Sequence, residues 1–290
     1  MCAAALMLTL AAITNADAGA QGTSLPDLLT RAGAYVVDYH RRLQAIVAEE
    51  RYEQRSSGAL RPGAGTWTLQ SAGADAEERT LRSDFMLLRG IAGEDAWFAF
   101  RDVFEVDGRP VSGQRGRLEQ WLADSRPGFM HRARALALEQ ARYNIGPVMR
   151  TINVPTLALE LLVPDNQKRF RFRHTGVTSV EGVAVSVVSF EERRRPTMIR
   201  TPGGKNVVAR GTLWIETETG RVVRTELRTG ERDRREVQAT ITVTYAFVPR
   251  LDLLVPASMQ EHYLAGGSEI ACTATYSNFR RFETDARIVR

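Results

Sequence analysis

From residue 236 to residue 247 the chain alternates without interruption. Val237, Ala239, Ile241, Val243, Tyr245 and Phe247 take one face, and Glu236, Gln238, Thr240, Thr242 and Thr244 take the other. Side chains along a strand point to opposite sides in turn, so this segment requires a sheet with one dry face and one wet face. Such sheets favour antiparallel pairing, because parallel sheets carry helices on both faces. The dry face in turn needs a cover.

The rest of the chain supplies more strands. Residues 81–88 and 96–106 carry aromatic and branched side chains and end in the turn Val106-Asp107-Gly108-Arg109-Pro110. Val180-Glu181-Gly182-Val183 turns into AVSVVSF, Thr217-Glu218-Thr219-Gly220 joins 212–216 to 221–228, and Gly266-Gly267 joins 257–264 to 269–282. A strand is also expected over 45–54, then a Gly- and Ser-rich loop over 56–65. Helices are few. Ser24-Leu25-Pro26-Asp27 has the form of a capping box, and Leu28, Ala32, Tyr35, Tyr39, Leu43 and Ile46 follow at helical spacing. A second helix is expected over 127–146, ending at Gly146, and a short third over 156–163, stopped by Pro164. With so few helices and such short connections, the fold class is mainly β (α+β) with a curved antiparallel sheet.

Ahead of these elements, residues 2–13 form the apolar run CAAALMLTLAAI. It is shorter than the roughly 20 residues a membrane-crossing helix needs. It ends in Ala16-Asp17-Ala18 and Ala18-Gly19-Ala20, so residues 1–20 read as a secretory signal peptide and 21–290 as a single β-rich domain, periplasmic or secreted. The basic region that normally precedes such a run is missing, and the true start is expected upstream of Met1. Of the 2 cysteines, export leaves only Cys272, which excludes an internal disulfide. That thiol shares a strand face with Ile270, Ala274 and Tyr276 and reads as buried and inert. The net charge of +5 rests almost wholly on arginine, with Lys168 and Lys205 the lysines. The arginines interleave with acids, as in Glu231-Arg232-Asp233-Arg234-Arg235-Glu236, and no nucleic-acid motif accompanies them.

Catalytic and metal signatures are sparse. His40, His131, His174 and His262 show no HExxH or short ligand spacing, and Gly203-Gly204-Lys205 is not followed by the hydroxyl residue of a phosphate loop. Gly266-Gly267-Ser268 lacks the strand-to-helix setting of a serine nucleophile. No metal or cofactor is expected. Asp102 and Glu105, near Trp97, Phe98, Phe100 and Phe104, suggest a hydrolytic carboxylate pair, but three apart on a strand they are expected on opposite faces. What stands out is apolar surface. Trp97, Phe100, Trp214, Ile241, Val243, Tyr245, Ile270 and Tyr276 are the candidate ligand-binding residues. They line either an apolar cavity beneath an incomplete cover or a filled core. Arg169, Arg171 and Arg173, opposite Phe170 and Phe172, form either a solvated strand face or a contact for acidic head groups.

The order of elements across residues 25–282, with Gly211-Thr212-Leu213-Trp214-Ile215 leading into Thr219-Gly220-Arg221-Val222-Val223-Arg224, resembles the LolA-like periplasmic lipoprotein carriers and their related envelope-sensor domain. The phrases WFAFRDVFEVDGRPV, ARYNIGPVMRTINVPTLAL and ATYSNFRRF are similar to those of secreted proteins from acidobacteria-like lineages. The resemblance implies a half-barrel, with the N-terminal helix and two short mid-chain helices packed on its concave face. It also implies a non-enzymatic protein whose partner is a hydrophobic ligand or lipoprotein, or an envelope protein. The chain is longer than the carriers around 107–130 and 190–210, and no lid or cavity residue is matched one to one.

Overall fold

The computed structural model describes residues 23–43, 46–57, 76–89, 97–111, 140–146, 148, 150–180, 182–201, 203–230, 237–265 and 267–281. The signal segment, most of the loop expected at 56–65 and most of the helix expected at 127–146 lie outside them. Helix α1 (Leu25–Leu43) precedes strands β1 (Ile46–Ser57), β2 (Glu77–Arg89), β3 (Trp97–Val106) and β4 (Arg109–Pro110). A 3-10 turn at Ala141–Tyr143, a 3-10 segment at Leu157–Leu162 and the one-turn helix α2 (Pro164–Gln167) follow. The remainder is β5 (Phe170–Val180), β6 (Val183–Glu192), β7 (Ile199–Arg200), β8 (Asn206–Val207), β9 (Arg210–Glu216), β10 (Val222–Thr229), β11 (Gln238–Val248), β12 (Leu253–Ala265) and β13 (Ser268–Arg281).

Among the described residues eleven strands make one open antiparallel sheet, in the order β4-β3-β2-β1-β13-β12-β11-β10-β9-β6-β5, and β7 and β8 make a separate ribbon. Its edges are β4 and β5. The alternation in β11 does what the sequence requires: Ala239, Ile241, Val243 and Tyr245 are buried. Val237 and Phe247, expected on the same face, are exposed where the strand runs out. Cross-strand partners continue the dry face, with Leu227 and Glu261 beside Ile241, and Thr225 and Met259 beside Val243.

The cover begins with α1, which buries Leu28, Ala32, Val36, Tyr39 and Leu43 as one stripe. Its first turn is capped by Ser24, whose hydroxyl accepts the Asp27 N–H at 3.3 Å. The segment expected as a third helix is instead 3-10 over Leu157–Leu162, and it buries Ala158, Leu159, Leu161 and Leu162. Pro164 does not end the helical path; it opens α2, where a missing N–H costs nothing. Gln167 Nε2 then donates to the Leu29 carbonyl at 2.9 Å and the Leu162 carbonyl at 2.7 Å, tying α2 to both neighbours. No helix among the described residues is long and apolar enough to cross a membrane.

The β9–β10 turn meets α1 directly. Gly220 holds φ +75°, and a Cβ there would lie 2.7 Å from the Arg31 carbonyl carbon, while Arg31 Nη2 donates to the Thr217 carbonyl at 2.9 Å. Gly220→Ala therefore combines backbone strain with a backbone clash and is expected to cost about 1–3 kcal/mol. Urea denaturation checks this as a lower midpoint with an unchanged slope.

Candidate functional site

Ile241, Val243, Tyr245, Ile270 and Tyr276 come together on the inner face, the face that α1 covers. The register separates the other candidates from them. Phe100 pairs with Met86, and Met86 with Val47; these three are buried on the opposite face. Trp214 pairs with Arg224 on that opposite face, half-buried, with the guanidinium 4.8 Å over its ring, while Leu213 and Ile215 take the inward positions. Trp97 pairs in register with Arg89, and its side chain lies outside the described residues. Aromatic content alone did not distinguish the two faces of β3 and β9.

The inner face also carries charges that apolar patterning missed. Glu50, fully buried, accepts from Arg101 Nε at 2.7 Å and from Ser83 Oγ at 3.2 Å. Arg101 Nη2 reaches on to the Asn153 carbonyl at 3.0 Å. Arg150 Nη1 donates to Gln54 Oε1 at 2.5 Å and Tyr52 Oη at 3.0 Å, and its Nη2 to the Ile145 carbonyl at 2.7 Å. Both guanidiniums lie against the Tyr52 ring, at 5.8 and 5.7 Å. Glu261 accepts from Tyr263 Oη at 2.5 Å, and its burial pushes the carboxyl above the ordinary carboxylate range despite Tyr263, Arg101 and Arg150 nearby. Together these groups fasten the segment from Tyr143 to Pro155 across β1, β3 and β12. Two expected ligand residues lie beneath it: Gly146 packs on the Ile270 side chain, and Tyr245 Oη donates to the Pro155 carbonyl at 2.6 Å.

Where α1, the start of the 3-10 segment, β10 and β11 meet, hydroxyls gather. Tyr39 Oη and Thr156 Oγ1 are fully buried and make no hydrogen bond among the described residues. Thr225, also buried, lies against the Tyr245 hydroxyl. A buried hydroxyl left unpaired costs about 1–3 kcal/mol, so this junction is an incomplete polar site inside an apolar seam.

A register shift between Arg82 and Ser83 places Glu105 opposite Arg82 and Asp102 opposite Asp84, so the two acids share the outer face instead of opposing each other. Glu105 is engaged by Arg82 Nη1 at 3.3 Å, and Asp102 is fully buried. His40 is buried, 3.1 Å from Glu160; His262 is exposed, 2.6 Å from Glu269. Among the described residues no cluster of His, Cys, Asp or Glu has the makings of a metal site. Cys272 is buried, and burial pushes its thiol up to about 11, the inert state expected from its strand position.

No family model matches the chain, and no curated protein matches it. Solved structures show likenesses at low identity. A candidate outer membrane lipoprotein-sorting protein domain from Vibrio parahaemolyticus shares 12% identity over 88% of this chain and 94% of that one, with a TM-score of 0.40. A DUF1329 family protein from Desulfovibrio piger shares 11% over 89% and 95%, at 0.38. A LolA superfamily protein from Nitrosomonas europaea shares 9% over 89% and 97%, at 0.34. The fold is defined by the strand register.

Arg150→Ala strands Gln54, Tyr52 and the Ile145 carbonyl and leaves Glu261 less compensated, an expected loss of about 3 kcal/mol or more in denaturant unfolding. Glu261 holds its proton more tightly folded than unfolded, so its contribution to stability is full below the unfolded carboxyl value of about 4.3 and is lost as pH rises through the raised folded value. Glu261→Gln is therefore expected to flatten the decline of melting temperature on that alkaline side.

Proposed function

We propose that this is a non-enzymatic, exported binding protein that holds the acyl part of a lipid or lipoprotein between the inner face of its sheet and the helical cover. The observation that carries this reading is the junction of Tyr39, Thr156, Thr225 and Tyr245. There the Tyr39 and Thr156 hydroxyls lack partners within an apolar seam, the complement of an ester or amide oxygen at the end of an apolar chain. Ile241, Val243 and Tyr245 are the proposed ligand contacts, with Ile270 and Tyr276 towards the end closed by residues 143–155. Binding would come from apolar burial, about 0.8 kcal/mol per CH₂, with the hydroxyls setting orientation.

The cover is suited to opening. Arg31 and Arg42 anchor α1 by donating to the Thr217 and Leu251 carbonyls at 2.9 and 3.3 Å, and Gln167 ties it to α2. Arg42 also pairs with Asp252 at 2.9 Å and His40 lies 3.1 Å from Glu160, so the cover is held by a small set of polar ties at its edges together with side-chain packing. A second reading, a protein-binding or sensor module with a filled core, draws on the sealing of Ile270 by Gly146 and of Tyr245 by Pro155.

Native mass spectrometry and lipid extraction of the protein purified from its own envelope distinguish the two. The carrier reading expects a co-purifying lipid and binding of a fluorescent fatty acid; finding neither overturns it. Tyr39→Phe removes an unpaired hydroxyl and is expected to leave stability level or higher while weakening fatty-acid binding severalfold.

A further inference from the structure

The strand face turned away from the cover carries a groove of about 310 Å³ across β5, β6, β9 and β10, lined by Arg171, Arg173, Ser189, Glu191, Arg210 and Arg228. Its geometry follows from register. Arg228 stands opposite Arg210, Arg210 opposite Glu191, and Glu191 opposite Arg171, a single row across four strands. Arg173 and Ser189 form the next row. Neighbouring strands are about 4.8 Å apart, so the guanidiniums in this row reach one another's surroundings.

The charges do not cancel. Glu191 is engaged by Arg193 at 2.7 Å, and Glu226 is taken by Arg228 at 3.0 Å. Among the described residues Arg171, Arg173 and Arg210 enter no ion pair, whereas Arg51, Arg55, Arg82 and Arg101 on β1, β2 and β3 do. Like charges directly opposite one another on a sheet are destabilising, so the Arg210–Arg228 pair is costly unless an anion lies between them. The sequence pointed only to Arg169, Arg171 and Arg173. The structure spends Arg169 on Glu192 and the Pro196 carbonyl, and brings Arg210 and Arg228 in from β9 and β10.

We infer that this groove is a binding site for a multiply charged oxyanion, phosphate being the chemistry that converging guanidinium forks fit best. It takes the phosphate either of an anionic lipid head group or of a free phosphate compound. The described lining of the groove, arginines with Ser189 and the engaged Glu191, suits holding such a group. It lies on the face opposite the proposed acyl seam and does not rest on that reading.

The test uses the full chain, with inorganic pyrophosphate followed by calorimetry at low salt and vesicles of phosphatidylglycerol or phosphatidylcholine followed by flotation. Arg210→Ala combined with Arg228→Ala is compared with Arg41→Ala combined with Arg55→Ala, exposed arginines outside the groove that change the net charge equally. The groove variant is expected to weaken binding about tenfold or more, with the control near wild type. Pyrophosphate binding without phosphatidylglycerol binding identifies a free phosphate as the source, and phosphatidylglycerol binding identifies the head group. No binding of either, binding of phosphatidylcholine vesicles as strong as phosphatidylglycerol, or an equal loss in the control overturns the site. Circular dichroism is expected to show both variants folded, because all four arginines are exposed side chains.

Discussion

An open sheet with one apolar face is unstable until that face is covered, and the rest of this protein is organised around that need. Barrels remove the problem by closing; this sheet stops at β4 and β5 and leaves its inner face to be covered by other parts of the chain. The N-terminal helix supplies one stripe, and the short elements from Ala141 to Gln167 supply more of it. Strand β1 pairs with β13, so the helix that enters before the first strand lies over strands from the far end of the chain.

Packing alone does not hold the mid-chain segment in place. It is largely irregular, and its carbonyls need donors that no neighbouring strand provides. Arg101, Gln54 and Tyr245 provide them from the sheet, while Arg150, within the segment, donates to its own Ile145 carbonyl and reaches Tyr52 and Gln54 on β1; Glu50 and Glu261 balance the buried guanidiniums. Buried charges of this kind add little net stability over apolar packing, but they fix which backbone atoms sit where. The seam further along α1 is the reverse case. There the cover meets the sheet largely through side-chain packing, with the buried Tyr39 and Thr156 hydroxyls making no hydrogen bond among the described residues.

The two faces thus divide the chemistry. The inner face is apolar with a polar strap at one end, suited to holding a chain. The outer face of β5, β6, β9 and β10 is basic, suited to holding an anion. Both features come from the same antiparallel register, because alternation sends Leu213 and Leu227 inward and Arg210 and Arg228 outward from adjacent strands.

Much of this fold is legible in the sequence. The alternation of β11, the helical spacing of α1 and the turn at Gly220 are local patterns, and local sterics set them. Ile241, Val243, Tyr245, Ile270 and Tyr276 could be placed on one face because their strands alternate cleanly. Phe100 and Trp214 could not, since each stands in a strand with apolar residues at both parities, and only pairing with Met86 and Arg224 decides the face. The same holds for Asp102 and Glu105, where a register shift overrides the count along the strand. The sequence by itself determined that there would be a one-faced antiparallel sheet with a helix to cover it. Tertiary structure alone decided which arginines meet, which carbonyls the buried charges bind and where hydroxyls remain unpaired, because those depend on pairings between residues far apart in the chain.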